Sequence, residues 1–502
     1  MILNKQNLPN IKYADVTIPN ENLLALPEKV LQFGTGVLLR GLIDDFIDKA
    51  NKQGIFNGRV VVVKSTSTGG TDAFEQQNGL FTQLIKGIDN GNKIDEIVIN
   101  SSISRVLSAS DNWAEILAVA ANPQLQIITS NTTEVGISLL SDDDVKATPP
   151  KSFPGKLLAV LLKRYETFSG SLESGFVIVP TELVVDNGTK LKAIVTQLAI
   201  NNKLDEGFMN WLITANDFCN SLVDRIVPGK PSAADKQTAE SMLGYTDDLM
   251  IMSESYRLWA IETSSQRSKD ILSFSKADEE GIVIVDDINK FRELKLRLLN
   301  GSHTFSCGLA VIGGFSTVKE AMADEAFVSF ITNLANDEIS PAILNQDIIL
   351  EEAKDFAVKV LDRYRNPFIE HLWISISAQY TAKMKMRCVP ILQKHFAANQ
   401  SAPSYMALGF AAYILFMKSH QNADGKYIGK IDGKEYTITD DAASALHNHW
   451  LGEDVAVVVP FILKDISLWD IDLTSFFGFS DAVIENLNAL IEKGFKQSIA
   501  NI

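Results

Sequence analysis

The segment from Phe291 to His303 carries a lysine, an asparagine and a histidine at spacings that one helical face can collect: Lys295, Asn300 and His303. On an ideal helix at about 100° per residue, with Lys295 at zero, His303 falls near ~80° and Asn300 near ~140°. An amine, an amide and an imidazole in one sector suit alcohol–ketone interconversion without a metal. A lysine whose charge is destabilised by burial takes the alcohol proton and returns it when the ketone is reduced. An asparagine amide donates to the oxygen that carries charge in the transition state. The histidine orients a neighbouring hydroxyl. The plainer reading of the same three residues is a surface lysine, a capping asparagine and a structural histidine.

Such a face needs a hydride carrier, and the first half of the chain has the elements for one. Lys29–Phe33 reads as a strand ending at Gly34-Thr35-Gly36, followed by a helical apolar pattern through Val37, Leu38, Leu42, Ile43, Phe46, Ile47 and Ala50. A strand, Gly-x-Gly and a helix can hold a pyrophosphate: the glycines admit backbone N–H groups and the helix N-terminus supplies positive charge. The third glycine of that fingerprint is missing, since Leu39 stands in its place. Val60–Val63 reads as the next strand, ending Lys64-Ser65-Thr66 with no carboxylate for a ribose diol, so NAD and NADP both stay open. Ile97–Asn100, Gln126–Ser130 and Gly175–Pro180 read as further strands, with helices at Asp111–Ala121 and Lys156–Thr167. This alternation predicts an α/β fold with a doubly wound parallel sheet. From about residue 286 the pattern turns helical, near Asn289–Gly308, Val318–Asn336, Leu350–Tyr364 and Met406–His420, with one hairpin over Lys426–Thr439 turning at Asp432-Gly433. Two domains are therefore expected, residues 1–285 and 286–502, the second mainly α-helical.

Bulk properties narrow the function. At 502 residues, 46% apolar and 22% charged, the chain can build large cores. A net charge of −16 excludes a general nucleic-acid binder and means that an anionic substrate needs a local cationic cluster. Cys219, Cys307 and Cys388 show neither disulfide nor zinc spacing, and the N-terminus lacks a signal-peptide pattern, so a cytoplasmic protein is expected. The longest apolar run, Met406–Met417, falls short of the ~20 residues of a membrane helix. His447 and His449 lack the further ligands of a metal site, and Asp224-Arg225 reads as a structural ion pair.

Lys295-x-x-x-x-Asn300-x-x-His303 resembles the pattern of the long-chain mannitol dehydrogenase family, metal-independent polyol and hexuronate reductases. The likeness extends to Gly34-Thr35-Gly36 with Arg40, Ser130-Asn131-Thr132-Thr133-Glu134, Val223-Asp224-Arg225-Ile226-Val227-Pro228, Asn366-Pro367, Lys383 and Arg387-Cys388-Val389-Pro390. It covers essentially the whole chain. It implies a Rossmann-type N-terminal domain, a helical C-terminal domain, an active site in a cleft between them, and NAD as cofactor. The implied cofactor residues are Phe33, Gly34, Thr35, Gly36, Val37, Ser65, Asn131 and Thr132. Lys295 is implied as acid/base, Asn300 and Asn187 as donors to the reacting oxygen, and His303 as the orienting group. Thr181-Glu182 and Leu38-Leu39 depart from the mannitol branch and are nearer the branch acting on hexuronates such as tagaturonate; fructuronate or a polyol is the alternative substrate, and an inert nucleotide-binding sensor the alternative class. The substrate carboxylate then needs a cation, with Lys383 and Arg387 as candidates beside Arg363 and Arg365. The expected partner is a small sugar acid, with no nucleic acid and no membrane, and the expected state is a monomer.

Overall fold

The computed structural model describes residues 1–65, 70–132, 136–452, 454–500 and 502. The chain divides into two compact units, Met1–Gly87 with Lys93–Ile288, and Asn289–Ile502 with the short segment Ile88–Asn92. Among the described residues no helix is long and apolar enough to cross a membrane.

The first unit is built on a six-stranded sheet. In chain order its strands are Glu28–Phe33, Arg59–Lys64, Ile103–Ser108, Ile127–Ser130, Val177–Pro180 and Asp217–Phe218. Their spatial order is 3-2-1-4-5-6, and each neighbouring pair runs parallel. This is the doubly wound order, whose switch point lies between the first and fourth strands. The strands are β-branched runs because both sheet faces are covered. Leu31, Phe33, Val61, Val63, Ile128 and Ile178 enter one core, while Val30, Val60, Val62, Ile127, Val177 and Val179 enter the other. The two-residue side-chain period thus feeds two separate cores from the same strands.

Two expectations about this unit change. The third strand is Ile103–Ser108, and Ile97–Asn100 belongs to a different sheet. There Phe81–Asp89 and Asn92–Asn100 form a hairpin turning at Asn90-Gly91, with φ of 48° and 76°. Positive φ at both central residues is the tight hairpin turn that Asn-Gly accommodates. Arg225 also departs from expectation. It is ion-paired with Asp45, not with its neighbour Asp224, and donates to Gly41 O (2.6 Å) and Glu254 O (2.9 Å). Arg40 is buried too, donating to Leu249 O (2.6 Å) and lying over the rings of Phe74 and Phe81. Both arginines brace the unit from inside.

The second unit is helical around Ser404–Phe416, which is apolar on all sides and buried along most of its length. Its approach to the helical run Asn289–Ile312 depends on glycines: a Cβ on Gly308 would stand 2.7 Å from Ala412 O, and one on Gly409 3.0 Å from Phe305 O. The expected helix Val318–Asn336 is broken, into Val318–Ala321 and Glu325–Asn333, because Asp324 caps the second piece by accepting from Ala326 and Phe327 N–H. The hairpin Tyr427–Ile431/Lys434–Thr437 does turn at Asp432-Gly433, and Ser419–Gln421 adds a third strand to it.

Candidate functional site

The helical run Asn289–Ile312 is not a regular α-helix. Lys295–Gly301 is a π-helical stretch between α-helical Asn289–Leu294 and Ser302–Ile312. A π turn absorbs one additional residue, as happens at many functional helices. Relative to an ideal helix, that residue rotates the downstream positions back by about 100°. Asn300 then lies about 40° to one side of Lys295 and His303 about 20° to the other, so the sector holding all three narrows to roughly 60°. Backbone carbonyls of the widened turn are taken by hydroxyls: Tyr364 and Ser302 donate to Leu299 O and Leu298 O, and Thr304 to Asn300 O (2.6 Å).

A second π stretch, Met384–Cys388, packs against the first. Arg297, buried and paired with Glu293 (3.2 Å), donates to Met386 O (2.8 Å) and Arg387 O (3.1 Å). It fixes the backbone that carries Arg387 to the turn that carries Lys295 and Asn300.

The three side chains differ in what they already hold. The Asn300 amide, half-buried, makes no hydrogen bond to any described residue, so both its N–H groups are available. The His303 ring stacks on Tyr364 (centroids 4.1 Å apart, 12°) and meets His371 and Trp373 edge-on. Its Nε2 is sealed from solvent without a partner among the described residues. Burial, then His371, Arg363, Arg387 and Lys383, hold His303 well below the ordinary imidazole range, so it is neutral near pH 7. Lys383 is lowered by burial and by Arg387, and donates to Ile376 O (2.7 Å). Arg387 donates to Thr304 Oγ1 (3.3 Å). Arg365 stands apart, 3.4 Å from Asp362.

Asn187 is different from Asn300. It is fully buried in the first unit, and its Nδ2 lies 3.1 Å from each of Pro180 O, Glu182 O and Ser221 O. Its Oδ1 accepts from Gly188 N–H and Ser221 N–H, both at 2.9 Å. An amide has two N–H groups, and here both are committed to backbone. The geometry makes Asn187 a brace of the Pro180–Asn187 segment rather than an open donor.

The loop after the first strand fits a dinucleotide. Gly34 has φ of 129°, and a Cβ there would meet Leu39 Cδ1 at 2.9 Å and Asn131 O at 3.1 Å. Gly36 is the opposite case: it is exposed, and a Cβ would meet nothing within 4 Å, leaving the backbone open to a phosphate just ahead of the helix that begins at Val37. Thr35 and Val37 are half-buried beside it, whereas the Phe33 side chain packs on Phe153, so only its backbone faces the loop. Ser65, directly after the second strand, has a buried hydroxyl with no partner among the described residues. Asn131 donates to Thr181 O (3.0 Å), while Thr132 N–H and Oγ1 donate to Glu182 Oε1 (2.8 and 3.0 Å). Thr66, Thr133 and Glu134 lie outside the described residues. Glu182, the anchor of this loop, was not among the site residues expected from the sequence; a carboxylate directly after an apolar strand was the available signal.

Cys307 is buried with Sγ near Trp373 O, and burial pushes its thiol up, so it is packing rather than nucleophile. His447 and His449 have separate partners, Ser419 O (2.8 Å) and Asp465 (3.2 Å).

Known proteins match along the whole length. Residues 28–272 match the mannitol dehydrogenase Rossmann domain and residues 287–491 the mannitol dehydrogenase C-terminal domain. The altronate oxidoreductase of Halalkalibacterium halodurans is 38% identical over 485 residues, 95% of this chain and 93% of that protein. That of Bacillus subtilis is 36% identical over 478 residues, covering 94% and 95%. Among solved structures, Pseudomonas fluorescens mannitol 2-dehydrogenase in ternary complex with NAD and D-mannitol aligns over 100% of this chain and 99% of its own, at 22% identity and a TM-score of 0.68. A substrate-free D-sorbitol dehydrogenase aligns over 99% and 100%, at 18% identity and a TM-score of 0.79, which speaks to fold. With both domain models matched in order and relatives above 30% identity over nearly every residue, the chain belongs to the mannitol dehydrogenase family.

Proposed function

We propose that this chain is an NAD-dependent altronate oxidoreductase, interconverting tagaturonate and altronate by hydride transfer without a metal. The observation that supports the chemistry is the π-widened turn at Lys295–Gly301, by whose pitch Lys295, Asn300 and His303 fall within about 60°, with the Asn300 amide bonded to no acceptor among the described residues. The substrate assignment is supported by the full-length altronate oxidoreductase relatives.

The backbone at Gly34–Val37, with Ser65 and Asn131–Thr132, would hold NAD(H), which would supply or accept the hydride. Toward ketone reduction, Asn300 donates a hydrogen bond to the carbonyl oxygen and stabilises the charge that grows there. Lys295 delivers the proton to that oxygen, and in the reverse direction removes it from the alcohol. Neutral His303 bonds a neighbouring hydroxyl and fixes which carbon faces the hydride. Asn187 keeps the Pro180–Glu182 backbone in place, and through Glu182 the Asn131–Thr132 loop. The same reading gives a cytoplasmic monomer acting on a small sugar acid.

The test is reduction of tagaturonate, fructuronate and fructose with NADH and, in parallel, with NADPH, in the presence of EDTA. The expected result is turnover with tagaturonate that the chelator leaves intact, and a loss of about 10²–10⁴-fold in Lys295→Ala with NADH binding retained. Turnover confined to the neutral ketose, or abolished by EDTA, refutes the reading.

A further inference from the structure

The helical unit gathers more positive charge around His303 than proton transfer and oxygen stabilisation require. The neighbours that act on this ring are the cations Arg363, Arg387 and Lys383 and the imidazole of His371, which burial and then Lys383 and Arg363 hold below the ordinary range. They come from separate elements. Arg363 lies in the last turn of Leu350–Tyr364, Lys383 and Arg387 lie on the run Tyr380–Cys388, and His371 precedes the short helix Trp373–Ile376. Backbone pairing holds His371 in place: its carbonyl accepts from Val318 N–H (2.9 Å), and Trp373 N–H donates to Ser316 O (3.1 Å).

Several donors in this cluster lack acceptors. Arg387 Nε is buried with no partner among the described residues, although Nη1 reaches Thr304 Oγ1. Lys383 spends one of its three N–H groups on Ile376 O. The His371 ring is half-buried, 5.3 Å from the His303 ring, and makes no hydrogen bond to any described residue. Like charges drawn together in partly buried surroundings, with donors unspent, are arranged for an anion that the substrate brings. In a chain of net charge −16 such a cluster is also the local exception that an anionic substrate needs.

We infer that Arg387, Lys383 and His371 form a carboxylate subsite beside His303, which receives the acid end of a hexuronate and sets the preference for sugar acids over neutral ketoses. This rests on the reading of the chain as a hexuronate reductase, and adds His371 as a specificity-determining residue. A carboxylate has lone pairs enough for all three donors: the guanidinium, the ammonium and the imidazole N–H. Because the acid end would sit against the same ring that orients the hydroxyls, anchoring it also fixes the carbonyl along the helix face.

The experiment compares kcat/KM for tagaturonate with that for D-tagatose, in which CH2OH replaces the carboxylate, across wild type, Arg387→Met and His371→Phe. Arg387→Met is expected to lose about 100-fold with tagaturonate, mainly through KM, and His371→Phe about tenfold. The losses with D-tagatose should be at least tenfold smaller for Arg387→Met. Calorimetric titration with D-altronate is the second measure, with the thermal midpoint of each variant checked beforehand; His371→Phe carries the test if Arg387→Met is unstable. Parallel losses for acid and neutral substrate, or unchanged altronate affinity in a folded variant, overturn the subsite while leaving the hexuronate reading in place. A wild-type enzyme that reduces neutral ketoses and no hexuronate overturns both.

Discussion

Two asparagines that the family resemblance gives one role are given different roles by their hydrogen bonds, and exchanging each for alanine separates them. In Asn187→Ala the buried N–H groups of Gly188 and Ser221 lose their acceptor. Two of the three carbonyls are less exposed to loss, because Pro180 O also accepts from Ser221 Oγ and Glu182 O from Val184 N–H. Two orphaned buried donors at about 1–3 kcal/mol each give a destabilisation of about 4 kcal/mol. For a unit of this size that is a fall of roughly 10 °C in Tm. Asn300→Ala removes an amide that bonds none of the described residues, so Tm should hold within about 1 °C, while loss of an oxyanion donor lowers kcat by about 10²–10³. Scanning calorimetry and steady-state kinetics on both variants decide the matter. If Asn187→Ala keeps the wild-type Tm and loses kcat as Asn300→Ala does, the reasoning from hydrogen-bond commitment is wrong.

The glycine loop gives a second contrast: Gly36→Ala meets no protein atom and should leave Tm unchanged while weakening NADH binding about tenfold or more in fluorescence titration, whereas Gly34→Ala strains a φ of 129° against Asn131 O and should cost about 1–3 kcal/mol of stability as well. The pH dependence of stability should carry the mark of Asp44, whose carboxyl burial pushes up to about 7. A raised carboxyl favours the neutral form on folding, so its contribution is fully present below the unfolded value near ~3.9 and is lost as pH rises through about 7, a loss of about 4 kcal/mol in all. Asp44→Asn should therefore be more stable than wild type in urea melts at pH 8 and no better at pH 4; equal differences at the two pH values would refute the assignment.

Much of this was legible in the sequence, for identifiable reasons. Strands buried on both faces wrote themselves as Val60–Val63 and Ile127–Ile128, whereas the spacing of Lys295, Asn300 and His303 suited a plainer reading as well, and the family resemblance singled them out. Ile103–Ser108 escaped because Ser104 and Arg105 interrupt its apolar run, and Asn90-Gly91 was a hairpin signal left unread between two alternating segments. The π turn is invisible to apolar periodicity, since what satisfies its widened backbone is a set of hydroxyls, those of Tyr364, Ser302 and Thr304. His371 carries no motif at all. Its importance comes from the pairing at Val318 and Trp373 that turns a loop residue toward His303.

The extra residue in Lys295–Gly301 also ties the pitch of this stretch to its length. Deleting Leu296, Leu298 or Leu299 together with a return to ordinary pitch would leave the amine and the imidazole about 20° apart, as the widened turn does. A return to ordinary pitch with every residue kept would instead swing the amine about 100° from its present bearing on the imidazole, so the hydroxyls that hold the turn open also hold the reactive face together.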